Sequence, residues 1–225
     1  IWVLFLDTNG TVKSHQKISD TQGGFGCVLD NSDIFGSSNL FLGDVDNDGY
    51  ANILVTVSGD DDGGTDRGAV WLLNLNTDGT VRDEFKISDS LSTFNGVLSN
   101  GDRFGSRISL LGDINNDGIL DFVVGAVRDG DGVTYAGALW VLFLNTNGTV
   151  KSHQKISNLE GGLGNILHYQ EYFGFEIENI GDIDGDGVVD IAVGTPLSNN
   201  SGTNKGTIYV LFLNTDGTVK SMQEI

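Results

Sequence analysis

Three nine-residue segments of the sequence carry the side chains best suited to chemistry. Each has an oxygen-bearing side chain at its first, third, fifth and ninth positions and a glycine at its sixth, and the segments are 44–52, 113–121 and 182–190. A hard cation such as calcium takes roughly six to eight oxygen ligands, and this spacing turns alternate side chains toward one point. The glycine permits the sharp turn after the third ligand. We therefore expect each segment, called an acidic loop below, to bind one calcium ion, giving three sites.

The expected ligands are the four side chains and the backbone carbonyl of the seventh residue. They are Asp44, Asp46, Asp48, Tyr50 and Asn52 in the first acidic loop, Asp113, Asn115, Asp117, Ile119 and Asp121 in the second, and Asp182, Asp184, Asp186, Val188 and Asp190 in the third. The alternative is an acidic, solvated turn held by Asx hydrogen bonds. Each loop, however, brings three or four carboxylates close together, and these would repel one another strongly without a cation. The recurrence of this arrangement at one repeat position favours calcium. Magnesium fits less well because it favours rigid, water-rich octahedral sites.

The acidic loops are not EF-hands. An EF-hand requires a glutamate at position 12, and valine stands there in all three loops, at Val55, Val124 and Val193. The residues that follow also have the apolar pattern of a strand and not of a helix. On charge alone, the third loop should bind calcium most tightly, because it has four carboxylates.

The acidic loops belong to a repeat of 69 residues. The run Trp-Val-Leu-Phe-Leu at 2–6 recurs in related form at 71–75, 140–144 and 209–213. The pair Phe-Gly recurs in the same steps, from residue 35 to residues 104 and 173, and the register holds without an insertion. Each repeat reads as four short strands, which we label A to D. Strand A follows Phe-Gly, strand B follows the acidic loop, strand C is the Trp-Val-Leu-Phe-Leu run and strand D comes last.

The turns between these strands support the same architecture. Strands C and D are separated by Asn-Gly or Asp-Gly pairs at residues 9, 78, 147 and 216. Such pairs predict two-residue hairpins in which both central residues take positive φ. No segment shows a sustained helical period. The sequence therefore predicts an all-β chain of β-propeller blades, each with four antiparallel strands.

A Phe-Gly pair and an acidic loop follow one another in each repeat, and a Gly-Ala-Pro-like triplet follows them in two of the three; this order resembles the FG-GAP repeat of integrin α-chain propellers. The triplet is present at 125–127 and 194–196, whereas Thr56-Val57-Ser58 departs from it. The resemblance covers essentially the whole chain. It implies one propeller blade per repeat, with calcium in the hairpin loop between strands A and B. It also implies an extracellular, largely non-enzymatic role in adhesion and ligand binding.

Composition excludes several classes of partner. A formal charge of −19 and a pI near 4.1 argue against nucleic acid and anionic membrane surfaces. No apolar run approaches the roughly 18–20 residues of a membrane span, so we expect no membrane insertion. The single cysteine, Cys27, excludes intramolecular disulfides, which animal integrin propellers carry. Together with the close similarity of the repeats, this absence favours a bacterial or archaeal surface or secreted protein.

The repeat register also predicts the organisation of the chain. We expect a half-blade of strands C and D at 1–18 and FG-GAP repeats at 19–87, 88–156 and 157–225. About three and a half blades are fewer than a closed propeller uses. We therefore expect a piece of a longer array, whose open edges are covered by further blades of the same or neighbouring chains.

The function predicted from these features is a calcium-stabilised extracellular repeat module that is not an enzyme and binds an unknown protein or glycan. The alternative is a lectin-like or substrate-binding propeller accessory to a secreted hydrolase or polysaccharide-cleaving enzyme. The sequence contains no Ser-His-Asp spacing and no dinucleotide fingerprint, and a catalytic pair of Glu176 and Glu178 is disfavoured. The acidic stretch at 60–62 is a candidate fourth metal site, but its residue types change between repeats, so a solvated loop between strands B and C is preferred. The Trp and Tyr residues that begin each strand C are interpreted as packing residues.

Overall fold

A computed structural model of the chain describes residues 1–45, 48–90, 93–198 and 204–225. Within these ranges every regular element is a β-strand, and no helix is long and apolar enough to cross a membrane. The fourteen strands are β1 (Trp2–Leu6), β2 (Val12–Lys17), β3 (Phe35–Gly43), β4 (Ala51–Val57), β5 (Ala69–Leu75), β6 (Val81–Ile87), β7 (Phe104–Gly112), β8 (Asp121–Ala126), β9 (Ala138–Leu144), β10 (Val150–Ile156), β11 (Glu176–Gly181), β12 (Asp190–Thr195), β13 (Thr207–Leu213) and β14 (Val219–Glu224).

The strands form three antiparallel sheets of four strands and one pair. We call β3–β6 blade 1, β7–β10 blade 2, β11–β14 blade 3, and β1–β2 the half-blade. In every blade the strands pair in chain order, each with the next, as expected of propeller blades. The predicted all-β architecture with four strands per blade is confirmed.

Neighbouring blades pack through their first strands. Strand β7 contacts β3 of the preceding blade and β11 of the following one. The Phe-Gly pair lies at this junction: Phe104 and Phe173 are fully buried, and each forms a parallel bridge to a glycine of the preceding blade, Gly68 or Gly137. Gly137 has a φ of 90°, and a Cβ atom there would overlap the backbone of Phe173. Close approach of two backbones therefore explains why glycine stands at these positions.

Burial of the strands follows their position between blades. Every residue of β8 and β9 is buried, so both faces of these strands lie against apolar neighbours. The corresponding strand of the half-blade, β1, pairs only with β2, and alternate side chains along it are exposed. The predicted packing role of the Trp and Tyr positions holds at Trp71, Trp140 and Tyr209, which are buried, whereas Trp2 is 56% exposed.

The turns between strands C and D differ from the prediction. In the first turn the Gly10 N–H donates to Asp7 O at 2.9 Å, and only Gly10 has positive φ, since Asn9 does not. This is a three-residue loop in which a type I turn is followed by a glycine bulge. The Asn9 side chain accepts the Thr11 N–H at 3.0 Å, which stabilises this geometry. The expectation of two-residue hairpins is therefore wrong, because an Asx hydrogen bond competes with the left-handed conformation at asparagine.

Candidate metal centre

Each acidic loop connects the first two strands of a blade. The loops follow Gly43, Gly112 and Gly181, the last residues of β3, β7 and β11. Their ninth residues begin the next strand or lie one residue inside it, and the ninth side chain is buried in all three loops, at 1% exposure or less. The strands thus hold one predicted ligand position in the protein interior, while positions five and six are exposed in all three loops.

The aspartate at the first position shapes the loop. In the second acidic loop Asp113 Oδ1 accepts the Asp117 N–H at 2.9 Å, and Asp113 Oδ2 accepts the Gly118 N–H at 2.8 Å. The same two bonds form around Asp44 and around Asp182. One carboxylate therefore satisfies two backbone donors that a tight turn would otherwise leave unpaired.

The ninth residue ties the loop to the sheet. Asp190 Oδ2 accepts the Ile183 N–H at 2.9 Å and Asp190 Oδ1 accepts the Leu213 N–H at 3.4 Å. Asp121 makes the equivalent bonds in the second loop, and Asn52 Oδ1 accepts the Val45 N–H at 2.8 Å in the first. An asparagine can thus replace the aspartate without loss of the loop's backbone hydrogen bond.

Three predicted ligands converge in the third acidic loop. Oxygen atoms of Asp182, Asp184 and Asp190 lie within 4.8 Å of one another, so a single cation can contact all three. Carboxylate oxygens at this spacing are the donor set of a hard cation, and the site therefore fits calcium. In the first loop, the predicted ligand Asp46 lies outside the described residues. At position seven, the N–H groups of Tyr50, Ile119 and Val188 donate to the position-five carboxylates.

Electrostatics at the second loop also favour a cation. The pKa of Asp121 is raised to about 6: burial is the main cause and the charges of Asp117 and Asp113 contribute, while hydrogen bonds from the Leu144 and Ile114 N–H groups oppose the rise. A buried carboxylate that resists ionisation in this way would be stabilised by a nearby positive charge. At Asp117 and Asp186, hydrogen bonds from Lys151 and Lys220 lower the pKa instead.

The loop between strands B and C is solvated only in part, since Asp61 is exposed whereas Asp60 is buried. Asp60 is only 4% exposed and forms an ion pair with Lys86. The equivalent residues of blade 2 do the same, with Lys155 Nζ 3.0 Å from Asp129 Oδ2. Both lysines also lie over a tryptophan of their own blade, about as far as cation–π contacts reach. The two lysines are 69 residues apart, and so are Asp60 and Asp129. This shared register is the sequence signal from which the two ion pairs could have been predicted.

One member of the disfavoured catalytic pair, Glu176, has a structural partner. Glu176 forms an ion pair with Arg107 of the preceding blade, with Arg107 Nε 2.8 Å from Glu176 Oε2. Asn179, on the same strand, donates to Leu110 O at 2.8 Å across the same junction. These contacts hold the first strands of blades 2 and 3 together.

Comparison with known proteins identifies the repeats. The FG-GAP repeat family matches residues 104–142 and 179–211. Blades 2 and 3 carry FG-GAP repeats. Each matched segment contains one acidic loop and the strand after it, together with all of β7 in the first segment and the end of β11 in the second, and the predicted resemblance is confirmed.

The similar proteins include several integrin α chains. Human integrin alpha-10 is 30% identical over 200 residues, which cover 84% of this chain and 14% of the integrin. Integrin alpha-3 of Cricetulus griseus is 31% identical over 158 residues, or 70% of this chain and 13% of that protein. Phosphatidylinositol-glycan-specific phospholipase D of Bos taurus is 28% identical over 178 residues, which cover 75% and 19% of the two chains. The chain therefore spans less than a fifth of the length of these relatives.

Proposed function

We propose that this chain is a calcium-stabilised, non-enzymatic FG-GAP module of an extracellular or cell-surface protein, and that it serves adhesion or ligand binding. The observation that carries the proposal is the convergence of Asp182, Asp184 and Asp190 in a loop of a matched FG-GAP repeat. The integrin relatives support the cell-surface setting. Calcium would be held by the side chains at positions one, three, five and nine of each acidic loop, and by the carbonyl at position seven.

The proposed role of calcium is structural. Extracellular calcium modules bind with dissociation constants of roughly 10⁻⁴–10⁻³ M. At calcium tenfold above this constant, each site adds about 1.4 kcal/mol to the free energy of unfolding. Three such sites would contribute ~4 kcal/mol, a large share of the ~5–15 kcal/mol typical of a domain. The cations would also offset part of the self-repulsion that a formal charge of −19 imposes.

Thermal unfolding in low-salt buffer tests the proposal. We expect millimolar calcium to raise the melting temperature by about 10 °C over the same protein in chelator, since 1 kcal/mol shifts a domain of this size by about 2–4 °C. Asp190→Asn should lower the calcium-dependent shift because it removes one carboxylate. Its amide oxygen keeps the bond from the Ile183 N–H, as Asn52 does with the Val45 N–H, and the variant gives up only the 3.4 Å bond from the Leu213 N–H. Asp7→Asn is the matched control, since the equivalent residue of blade 2 is Asn145. An unchanged melting temperature in chelator would contradict the proposal.

A second candidate function is an accessory module of a secreted hydrolase. The observation that favours it is the similarity to a phospholipase D, an enzyme of which this chain matches 19%. In that case the chain would hold a substrate or a glycan for a catalytic unit. Binding on a glycan array would support this role, and turnover of a polysaccharide by the purified chain would contradict the non-enzymatic assignment.

A further inference from the structure

A basic residue stands at one fixed position in the last strand of every blade. These residues are Arg82 in β6, Lys151 in β10 and Lys220 in β14, each 69 residues from the next. None of them belongs to an acidic loop in sequence. Each lies 34 residues after the position-five aspartate of its own blade. The two residues nevertheless meet, because the C–D hairpin lies at the same end of the blade as the A–B hairpin.

All three side chains reach the carboxylate at position five. The Arg82 guanidinium donates to Asp48 Oδ2. Lys151 Nζ lies 2.7 Å from Asp117 Oδ2, and Lys220 Nζ lies 2.6 Å from Asp186 Oδ2. The repeated contact is therefore a feature of the blade and does not depend on one local sequence.

The contact occupies an oxygen that a cation would need. At each position-five carboxylate, Oδ1 already accepts the N–H of the seventh residue, as in the 3.0 Å bond from Ile119 to Asp117. The other oxygen, Oδ2, accepts the basic side chain. A divalent cation that takes a position-five oxygen must therefore share it with a backbone N–H or meet an ammonium or guanidinium charge of like sign.

Of the three basic residues, Lys220 contacts two carboxylates of its loop. Besides Asp186 it contacts Asp184 Oδ2 at 2.7 Å, and Asp184 is one of the three converging carboxylates of the third loop. Counting carboxylates alone predicts that this loop binds calcium most tightly. In the structure Lys220 donates one hydrogen bond to each of two of the loop's four carboxylates. A count of carboxylates therefore overstates the calcium affinity of the third loop.

We propose that Arg82, Lys151 and Lys220 are tethered counter-ions that set the cation affinity of the acidic loops. Each base neutralises part of its loop when no cation is bound and competes with the cation for the position-five carboxylate. Because the base is covalently part of the blade, its local concentration does not depend on the solution. This inference rests on the proposed function, since it presupposes that the loops bind calcium.

Calcium titration of Lys220→Gln, compared with the unaltered chain, tests the inference. The amide signal of Gly187, which donates to Asp182 in the third loop, reports that loop separately in a two-dimensional NMR spectrum. We expect calcium to bind the third loop of the variant on the order of 3- to 10-fold more tightly, since exposed ion pairs contribute modestly. The difference should shrink in concentrated potassium chloride, because salt screens the competing charge.

The half-blade supplies a matched control. Lys13 of β2 stands at the same repeat position as Lys220, and within the described residues no carboxylate lies within ion-pair distance of it. Lys13→Gln removes the same charge and should leave the calcium affinity of the third loop unchanged. Equal effects of Lys13→Gln and Lys220→Gln would overturn the tethered counter-ion, since net charge alone would then explain the change.

The remaining outcomes separate this inference from the proposed function. If calcium moves the Gly187 amide signal in both proteins and binds Lys220→Gln with the same or a weaker affinity, the lysine is only a structural contact. The inference then fails, and the proposed calcium module stands. If calcium leaves Gly187 unmoved in both proteins, the inference and calcium binding by the third loop fail together. A structural role alone would lower the melting temperature of Lys220→Gln in chelator without changing the calcium affinity.

Discussion

At the scale of single residues, Asp102 carries a charge in an unfavourable place. The side chain is 4% exposed, and Asp102 Oδ2 accepts the Ser99 N–H at 2.7 Å. Its pKa is raised to about 6: burial is the main cause and the charge of Asp129 contributes, while the Ser99 hydrogen bond and the charges of Lys155 and Arg67 oppose the rise. Since an unfolded aspartate titrates near 3.9, the folded chain holds an extra proton between about pH 4 and pH 6. Protonation of Asp102 therefore stabilises the folded state at low pH, and this stabilisation is lost as the pH rises through 6.

Replacement of Asp102 by asparagine should therefore stabilise the protein at neutral pH. The amide keeps an oxygen for the Ser99 N–H and removes the buried negative charge. We expect Asp102→Asn to raise the free energy of unfolding by about 1–2 kcal/mol at pH 7. Urea denaturation at fixed calcium concentration measures this change. At pH 4 the aspartate is protonated as well, so a gain of the same size there would contradict the assignment to charge.

At the scale of elements, the blade junction depends on backbone contact at Gly137. A side chain at this position meets the backbone of Phe173 and must also adopt a φ of 90°. Gly137→Ala should lower the free energy of unfolding by about 2–4 kcal/mol, measured by urea denaturation, because conformational strain and overlap add. The control is Gly101→Ala, at which φ is 89° and a Cβ atom has open space. Gly101→Ala should cost about 1 kcal/mol from strain alone. Equal losses in the two variants would show that the junction tolerates the added atom.

The sequence was sufficient to predict the elements because each signal is local and is repeated in register. The apolar run, the Phe-Gly pair and the acidic loop identify strands and their order, and the acidic loops of blades 2 and 3 lie in segments that match the FG-GAP family. The ion pairs were not predicted because their partners are far apart along the chain. Asp129 meets Lys155 and Asp117 meets Lys151 only after the fourth strand folds back on the blade. The hairpin type was also missed, because the choice at Asn9 is made by a side-chain hydrogen bond and not by residue type alone.

At the scale of the whole molecule, the half-blade exposes a row of apolar side chains along one strand. Within the described residues β1 pairs with β2 alone, whereas its counterpart β9 lies between β8 and β10. Trp2, Leu4 and Leu6 are each more than half exposed along this unpaired edge. An apolar strand with free backbone hydrogen-bonding groups is a template for pairing with another chain. That further blades of the same or neighbouring chains cover this edge stays a prediction.

The purified 225-residue chain should consequently self-associate through β1. Leu4→Lys with Leu6→Lys should weaken this association because two charges would repel a neighbouring strand, while the fold tolerates them at exposed positions. Sedimentation velocity over a series of protein concentrations measures the effect. Val28→Lys is the control, since Val28 is 80% exposed, lies outside the strands and should leave association unchanged. A concentration-independent monomer, or equal loss of association in Val28→Lys, would show that β1 is not the contact.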